Sequence, residues 1–187
     1  MAGTTRQQII ERTVILLAKK GLQGASFSQI LEASGAPRGS LYHHFPGGKD
    51  ELVLAAIDLA GARAIGALEP LAGRPALEVA TAFVALWRAV LERSDFSAGC
   101  AVLAVTVAAE TPALRDRAGA IFSQWRQRLA ELFGAGGIAP DRAPALAAGL
   151  IAACEGAVVL ARGERSLAPF ELVTGDMLAR VEAAQGA

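Results

Sequence analysis

Ser26-Phe27-Ser28-Gln29-Ile30-Leu31-Glu32-Ala33-Ser34-Gly35-Ala36-Pro37-Arg38-Gly39-Ser40-Leu41-Tyr42-His43-His44-Phe45-Pro46-Gly47-Gly48-Lys49 is the stretch that decides the fold. Ser26 and Gln29 form an S-x-x-Q capping box, in which each side chain satisfies an orphan amide of the first helical turn. The helix they open is short, about residues 27–33, because Gly35 adopts the left-handed backbone that ends it. Pro37 suits the first position of the next helix, where its missing N–H costs nothing. Pro46-Gly47-Gly48 stops that helix after about His44.

Upstream, Ile9 or Ile10, Val14 and Leu17 recur at helical spacing, and Lys19, Lys20 and Gly21 supply a basic last turn and a stop. This predicts a first helix over about residues 4–20. Downstream the helices lengthen to about 49–68, 76–93, 99–109, 112–133, 143–161 and 169–184, separated by joints such as Gly73-Arg74-Pro75 and residues 134–140. Residues 102–107 could pass for a buried strand, but alanine-rich flanks and the lack of a partner strand favour a helix. The expected fold class is all-α. A three-helix, helix-turn-helix domain occupies residues 1–50, and a larger helical domain occupies residues 51–187.

On a wheel of about 100° per residue, Pro37 and Phe45 fall within about 40° of Leu41. The three make an apolar stripe that packs on the two preceding helices. Gly39 and His43 lie opposite, flanked by Ser40 and Tyr42, with Arg38 in the first turn. Such a small, hydrogen-bonding face fits a DNA major groove: Gly39 permits close backbone approach, Arg38 and Ser40 reach base edges, and Tyr42 and Lys49 reach phosphates. The helix starts at Ser26 and Lys49 add amides aimed at phosphate. Ser26, Gln29, Pro37, Arg38, Gly39, Ser40, Tyr42, His43, His44 and Lys49 are therefore the candidate DNA-binding residues. His44, about 60° from the stripe, is the member best explained by packing. The adjacent histidines point about 100° apart, with no cysteine or acidic partner at ligand spacing, so no metal site is expected.

Charge agrees with this reading. Arg6, Arg12, Lys19, Lys20, Arg38 and Lys49 face only Glu11, Glu32 and Asp50 in the first fifty residues. Of the 18 basic and 18 acidic residues in the chain, this leaves 12 and 15 for the remainder. A basic end on an acidic body suits a polyanion.

The run from Ile9 to Leu52 resembles the DNA-binding domain of the tetracycline-repressor (TetR) family. The residues that carry the likeness are Ile30-Leu31, Ser34-Gly35-Ala36, Gly39-Ser40-Leu41-Tyr42, His44-Phe45 and Lys49-Asp50-Glu51-Leu52. Pro37 stands where that family usually has a Ser or Thr cap, and Pro46-Gly47-Gly48 is one residue longer than the usual link. The proline-glycine variant resembles the LmrA/YxaF-like subgroup, whose members are associated with drug or flavonoid efflux genes. The resemblance implies a homodimer on a double-stranded DNA operator, with the last two helices of each chain pairing across a two-fold axis.

The remaining sequence fits sensing and pairing. Glycine included and tyrosine set aside, apolar residues make up about 63% of the chain, against roughly 45–50% in ordinary soluble domains. Phe83 and Trp87 are four apart on one helix, and Leu114, Ala118, Phe122, Trp125 and Leu129 stripe another. Phe83, Trp87, Phe96, Cys100, Leu103, Phe122 and Trp125 are the candidate walls of a cavity for a hydrophobic small-molecule effector, although each singly also suits an ordinary core. Small residues Ala145, Gly149, Ala152, Ala153, Gly156 and Ala157 are the candidate dimer interface, although tight packing within one chain would leave the same pattern, with Glu155 among them and Arg162 or Arg165 as its available partners.

Other classes fare worse. No stretch is expected to span a membrane, since Glu155, Gly149 and Gly156 interrupt residues 143–161. No secretory leader is read, so Cys100 and Cys154 are expected reduced in a cytoplasmic protein. Beyond Lys49 there is no histidine and no glycine-rich phosphate loop, so neither catalytic residues nor a cofactor are expected. The alternative from another class is a helical small-molecule binder or enzyme without DNA binding.

Overall fold

The computed structural model describes residues 5–185, apart from the side chain of Arg38. Its helices are α1 (Thr5–Gly24), α2 (Phe27–Ser34), α3 (Arg38–His44), α4 (Gly48–Gly66), α5 (Ala76–Arg93), α6 (Ala101–Ala108), α7 (Pro112–Ala135), α8 (Ala143–Glu164) and α9 (Ala168–Gln185). A 3-10 turn at Glu69–Leu71 precedes α5. No strand occurs among the described residues, and Val102–Val107 lies within α6. The all-α reading therefore holds.

The chain forms two compact units. One takes the described residues up to Arg63 together with Cys100–Phe122. Its core is built on α1, which packs against α2, α3 and α6. Ile9, Leu17, Ile30, Leu41, Phe45, Leu52, Ile57, Val102 and Val105 are fully buried there, each worth about 1.5–3 kcal/mol of transfer free energy when taken out of water. Thr13 is buried beside them, and its hydroxyl donates to the Ile9 carbonyl at 2.8 Å. The first helix runs four residues beyond its expected end. Gly21 leaves the helical region (φ 71°, ψ −178°), but the chain resumes helical turns to Gly24.

The other unit takes Ala64–Gly99 and the described residues from Ser123 onward. In it α8 lies along α9, and α5 packs on both. Gly136 closes the joint between α7 and the start of α5. Its carbonyl accepts from the Ala76 amide at 3.0 Å, and a side chain there would meet Ala76 N and Arg74 O at 2.6 Å. Arg165 pairs with Asp95 at 2.6 Å, and Arg162 donates to the Ser97 carbonyl at 3.3 Å.

One expectation needs correction here. Helix α8, at 22 residues, is long and apolar enough to cross a membrane by length and composition. The interrupting residues cited against that reading do not lower its apolar character far enough. One face of it packs against protein: Leu150, Cys154, Ala157, Val158 and Ala161 are buried, and Glu155 is buried with them. Cys100 and Cys154 are both buried, and neither is in a disulfide. Burial, helped by the neighbouring Glu155 charge, pushes the Cys154 thiol up to about 12.

Candidate nucleic-acid interface

Ser26 caps α2 from an extended backbone, its Oγ accepting from the Gln29 amide at 3.3 Å. The reciprocal half of the capping box is missing, because Gln29 Oε1 is buried without a hydrogen-bond partner among the described residues. Gly35 is left-handed (φ 65°, ψ 12°), and its N–H returns to the Leu31 carbonyl at 2.9 Å. Both ends of α2 thus follow from single residues.

Pro37 is the extended N-cap of α3 (φ −60°, ψ 145°), so the helix begins one residue later than expected. Since it is not yet helical, the wheel does not apply to it, and it is exposed rather than part of the packed stripe. Leu41 and Phe45 are fully buried, as the stripe requires. Gly39, Tyr42 and His43 are exposed, with Ser40 and His44 half-buried at the edges. The side chain of Arg38 lies outside the described residues. The His43 and His44 rings meet edge-on at 5.0 Å, and the Arg6 guanidinium sits over the Phe45 ring, 5.1 Å from its centre.

Lys49 departs from its expected aim at phosphate. Its Nζ donates to the Leu22 carbonyl at 2.9 Å, tying the start of α4 to the last turn of α1. Lys19, Lys20 and Gly21, read as the basic last turn and stop of the first helix, lie beside that carbonyl but name no partner for it. Phe27, which helical spacing did not single out, lines a cleft of about 230 Å³ with Ser28, Leu31, Leu41 and Tyr42.

In the second unit the candidate effector residues Phe83, Trp87 and Trp125 meet. The Phe83–Trp87 and Trp87–Trp125 ring centres are each 6.3 Å apart, at 75° and 65°, the edge-to-face arrangement aromatic quadrupoles favour. Trp87 is 8% exposed, and its indole N–H is buried without a hydrogen-bond acceptor among the described residues. Phe96 is half-buried on a left-handed backbone (φ 59°). Cys100, Leu103 and Phe122 belong to the first unit, where the Cys100 Sγ caps α6 by accepting from the Leu103 amide at 3.3 Å.

Residues 9–56 match the pattern described as bacterial regulatory proteins, tetR family. Residues 76–175 match the C-terminal domain of LmrA/YxaF-like transcriptional regulators. The chain belongs to the TetR family. This TetR-type regulator is 38% identical over 175 residues to an uncharacterized HTH-type transcriptional regulator of Mycobacterium tuberculosis, covering 90% of this chain and 89% of that one. It is 43% identical over 56 residues to the HTH-type transcriptional regulator LmrA of Bacillus subtilis, 30% of each chain. Among solved structures, regulatory protein TetR from Rhodobacter sphaeroides is similar with a TM-score of 0.81 and 26% identity, covering 95% of this chain and 98% of that chain. The TetR-type assignment makes the chain a transcriptional regulator rather than an enzyme.

In this TetR-type regulator the candidate pairing residues divide around α8. Ala145, Ala152 and Gly156 are exposed, while Gly149 and Ala153 are half-buried. The Met177 methyl would lie 3.2 Å from a side chain at Gly149. Ala157 is fully buried within its own chain, because it lies about 100–140° around the helix from Ala145, Ala152 and Gly156. Val159 and Leu160, at 55% and 48% exposure, extend that stripe with large apolar side chains. Among the described residues no cluster of three or more His, Cys, Asp or Glu is placed to hold a metal ion.

Proposed function

We propose that the regulator is a cytoplasmic repressor that binds a pseudo-palindromic operator as a homodimer and is released by a hydrophobic small molecule. In this reading residues 1–50 bind DNA and residues 51–187 sense the effector and pair. Two copies of α3 enter successive major grooves about 34–36 Å apart. The observation that carries the reading is Gly39. It is exposed in a helical position, and a side chain there would meet nothing within 4 Å. The fold itself therefore does not need glycine, which costs a helix roughly 0.5–1 kcal/mol relative to alanine. A surface that must come close to something outside the molecule does.

Phe83, Trp87 and Trp125 are the proposed effector contacts. An effector acceptor atom placed at the Trp87 N–H would remove a desolvation penalty of about 1–3 kcal/mol. The outward stripe of Ala145, Ala152 and Gly156 with Val159 and Leu160 is the proposed pairing surface. Effector binding favours a dimer conformer with a different α3 spacing, so DNA affinity falls by linkage.

Footprinting on the DNA upstream of its own gene, with and without a panel of planar aromatic compounds, tests the whole scheme. The expected result is protection of an inverted repeat that one compound abolishes; absence of any protected site defeats it. Within the site, Arg38→Ala is expected to cost about 1–3 kcal/mol and relax base preference at one position. Tyr42→Phe should weaken all sequences alike.

A further inference from the structure

We propose that Phe27 is a positioning residue for DNA contact, its edge-to-face pairing with the Tyr42 ring holding the phenol out toward the nucleic acid. This rests on the reading of α3 as the DNA-facing helix. Tyr42 is 64% exposed, yet it is not surrounded only by solvent. The Phe27 and Tyr42 ring centres are 5.8 Å apart with planes at 85°, an edge-to-face pair joining the first turn of α2 to α3. The backbone of Phe27 is fixed where it stands because Ser26 immediately before it caps the helix.

What the pair prevents is visible beside it. The cleft of about 230 Å³ is walled by Leu31 and Leu41 as well as by the two rings. An exposed phenol with a free rotamer would lay its apolar ring across those leucines, because removing that surface from water is favourable. The Phe27 ring lines the same cleft and meets the Tyr42 ring edge-to-face, and that contact opposes the swing. Tyr42 therefore meets DNA already oriented, and the rotamer entropy lost on binding is smaller. A smaller aliphatic side chain at position 27 keeps the cleft apolar but removes the edge contact. The phenol then turns inward and its hydroxyl leaves the phosphate.

Tyr42 is the one tyrosine in the sequence, so protein grown with 3-fluorotyrosine gives a single ¹⁹F resonance that reports this ring. The experiment measures that resonance, the melting temperature and the affinity for a duplex carrying the footprinted upstream site, in a double-mutant cycle of Phe27→Leu and Tyr42→Ala. Phe27→Leu is expected to shift the resonance, to leave melting near that of the parent and to weaken binding about three- to tenfold, the range of one aromatic pair. Phe27→Tyr, which keeps the ring edge, should restore the affinity. In the Tyr42→Ala background Phe27→Leu should change nothing further. An equal loss in both backgrounds, or an unmoved resonance, overturns the pairing while leaving α3 as the DNA helix. Tyr42→Ala binding as tightly as the parent overturns the reading of α3 and the inference together.

Discussion

Gly39 separates what the fold wants from what the partner wants. Alanine there fills open space and favours the helical backbone, so Gly39→Ala should raise stability by roughly 0.5–1 kcal/mol. The same methyl stands on the exposed face of α3 and should weaken operator binding about tenfold or more by holding the backbone off the DNA. Denaturant melts and gel shifts on one variant check both signs, and a stabilised variant that binds as tightly as the parent would remove Gly39 from the interface. Cys154 carries a pH prediction. Burial raises its thiol from the ordinary value near 9 to about 12, so the folded form stays neutral where the unfolded form ionises. Its contribution is intact below about pH 9 and is lost as pH rises toward 12. Urea melts from pH 8 upward should show a smaller decline for Cys154→Ala than for the parent.

At the scale of elements, the joint between α7 and α5 depends on Gly136. A methyl placed 2.6 Å from the Ala76 amide nitrogen and the Arg74 carbonyl oxygen forces backbone apart. Gly136→Ala should therefore cost about 1–3 kcal/mol, seen as a lower urea midpoint with an unchanged slope. What was legible in the sequence divides along similar lines. The ends of α2 were readable because Ser26 and Gly35 act on their own turn, and the buried face of α3 because Leu41 and Phe45 repeat at helical spacing. Contacts set by distant chain were not. Nothing in the neighbourhood of Lys49 names Leu22 as its acceptor, and nothing near Phe27 names Tyr42. Pro37 misled because the wheel assumes helical backbone one residue before it begins.

At the scale of the molecule, the proposed assembly stands on the outward side of α8. Charging Val159 and Leu160 together, as Val159→Glu with Leu160→Glu, should yield a monomer by light scattering. Operator affinity should fall about a hundredfold or more as the two half-sites lose their linkage. Fold class was legible at this scale because helical periodicity runs the length of the chain, and the family because particular residues between Ile9 and Leu52 resemble its DNA-binding domain, whereas Glu155, Gly149 and Gly156 do not offset the apolar character of the 22-residue α8. That greasy helix also has a history. During synthesis Ala143–Glu164 leaves the ribosome before the α9 residues that cover it. For that interval the side of the helix that carries Leu150, Cys154 and Val158 lacks the cover of α9. A premature stop between Glu164 and Ala168 would make the exposure permanent, and the truncated product should sediment with membranes or inclusion bodies instead of accumulating as free protein.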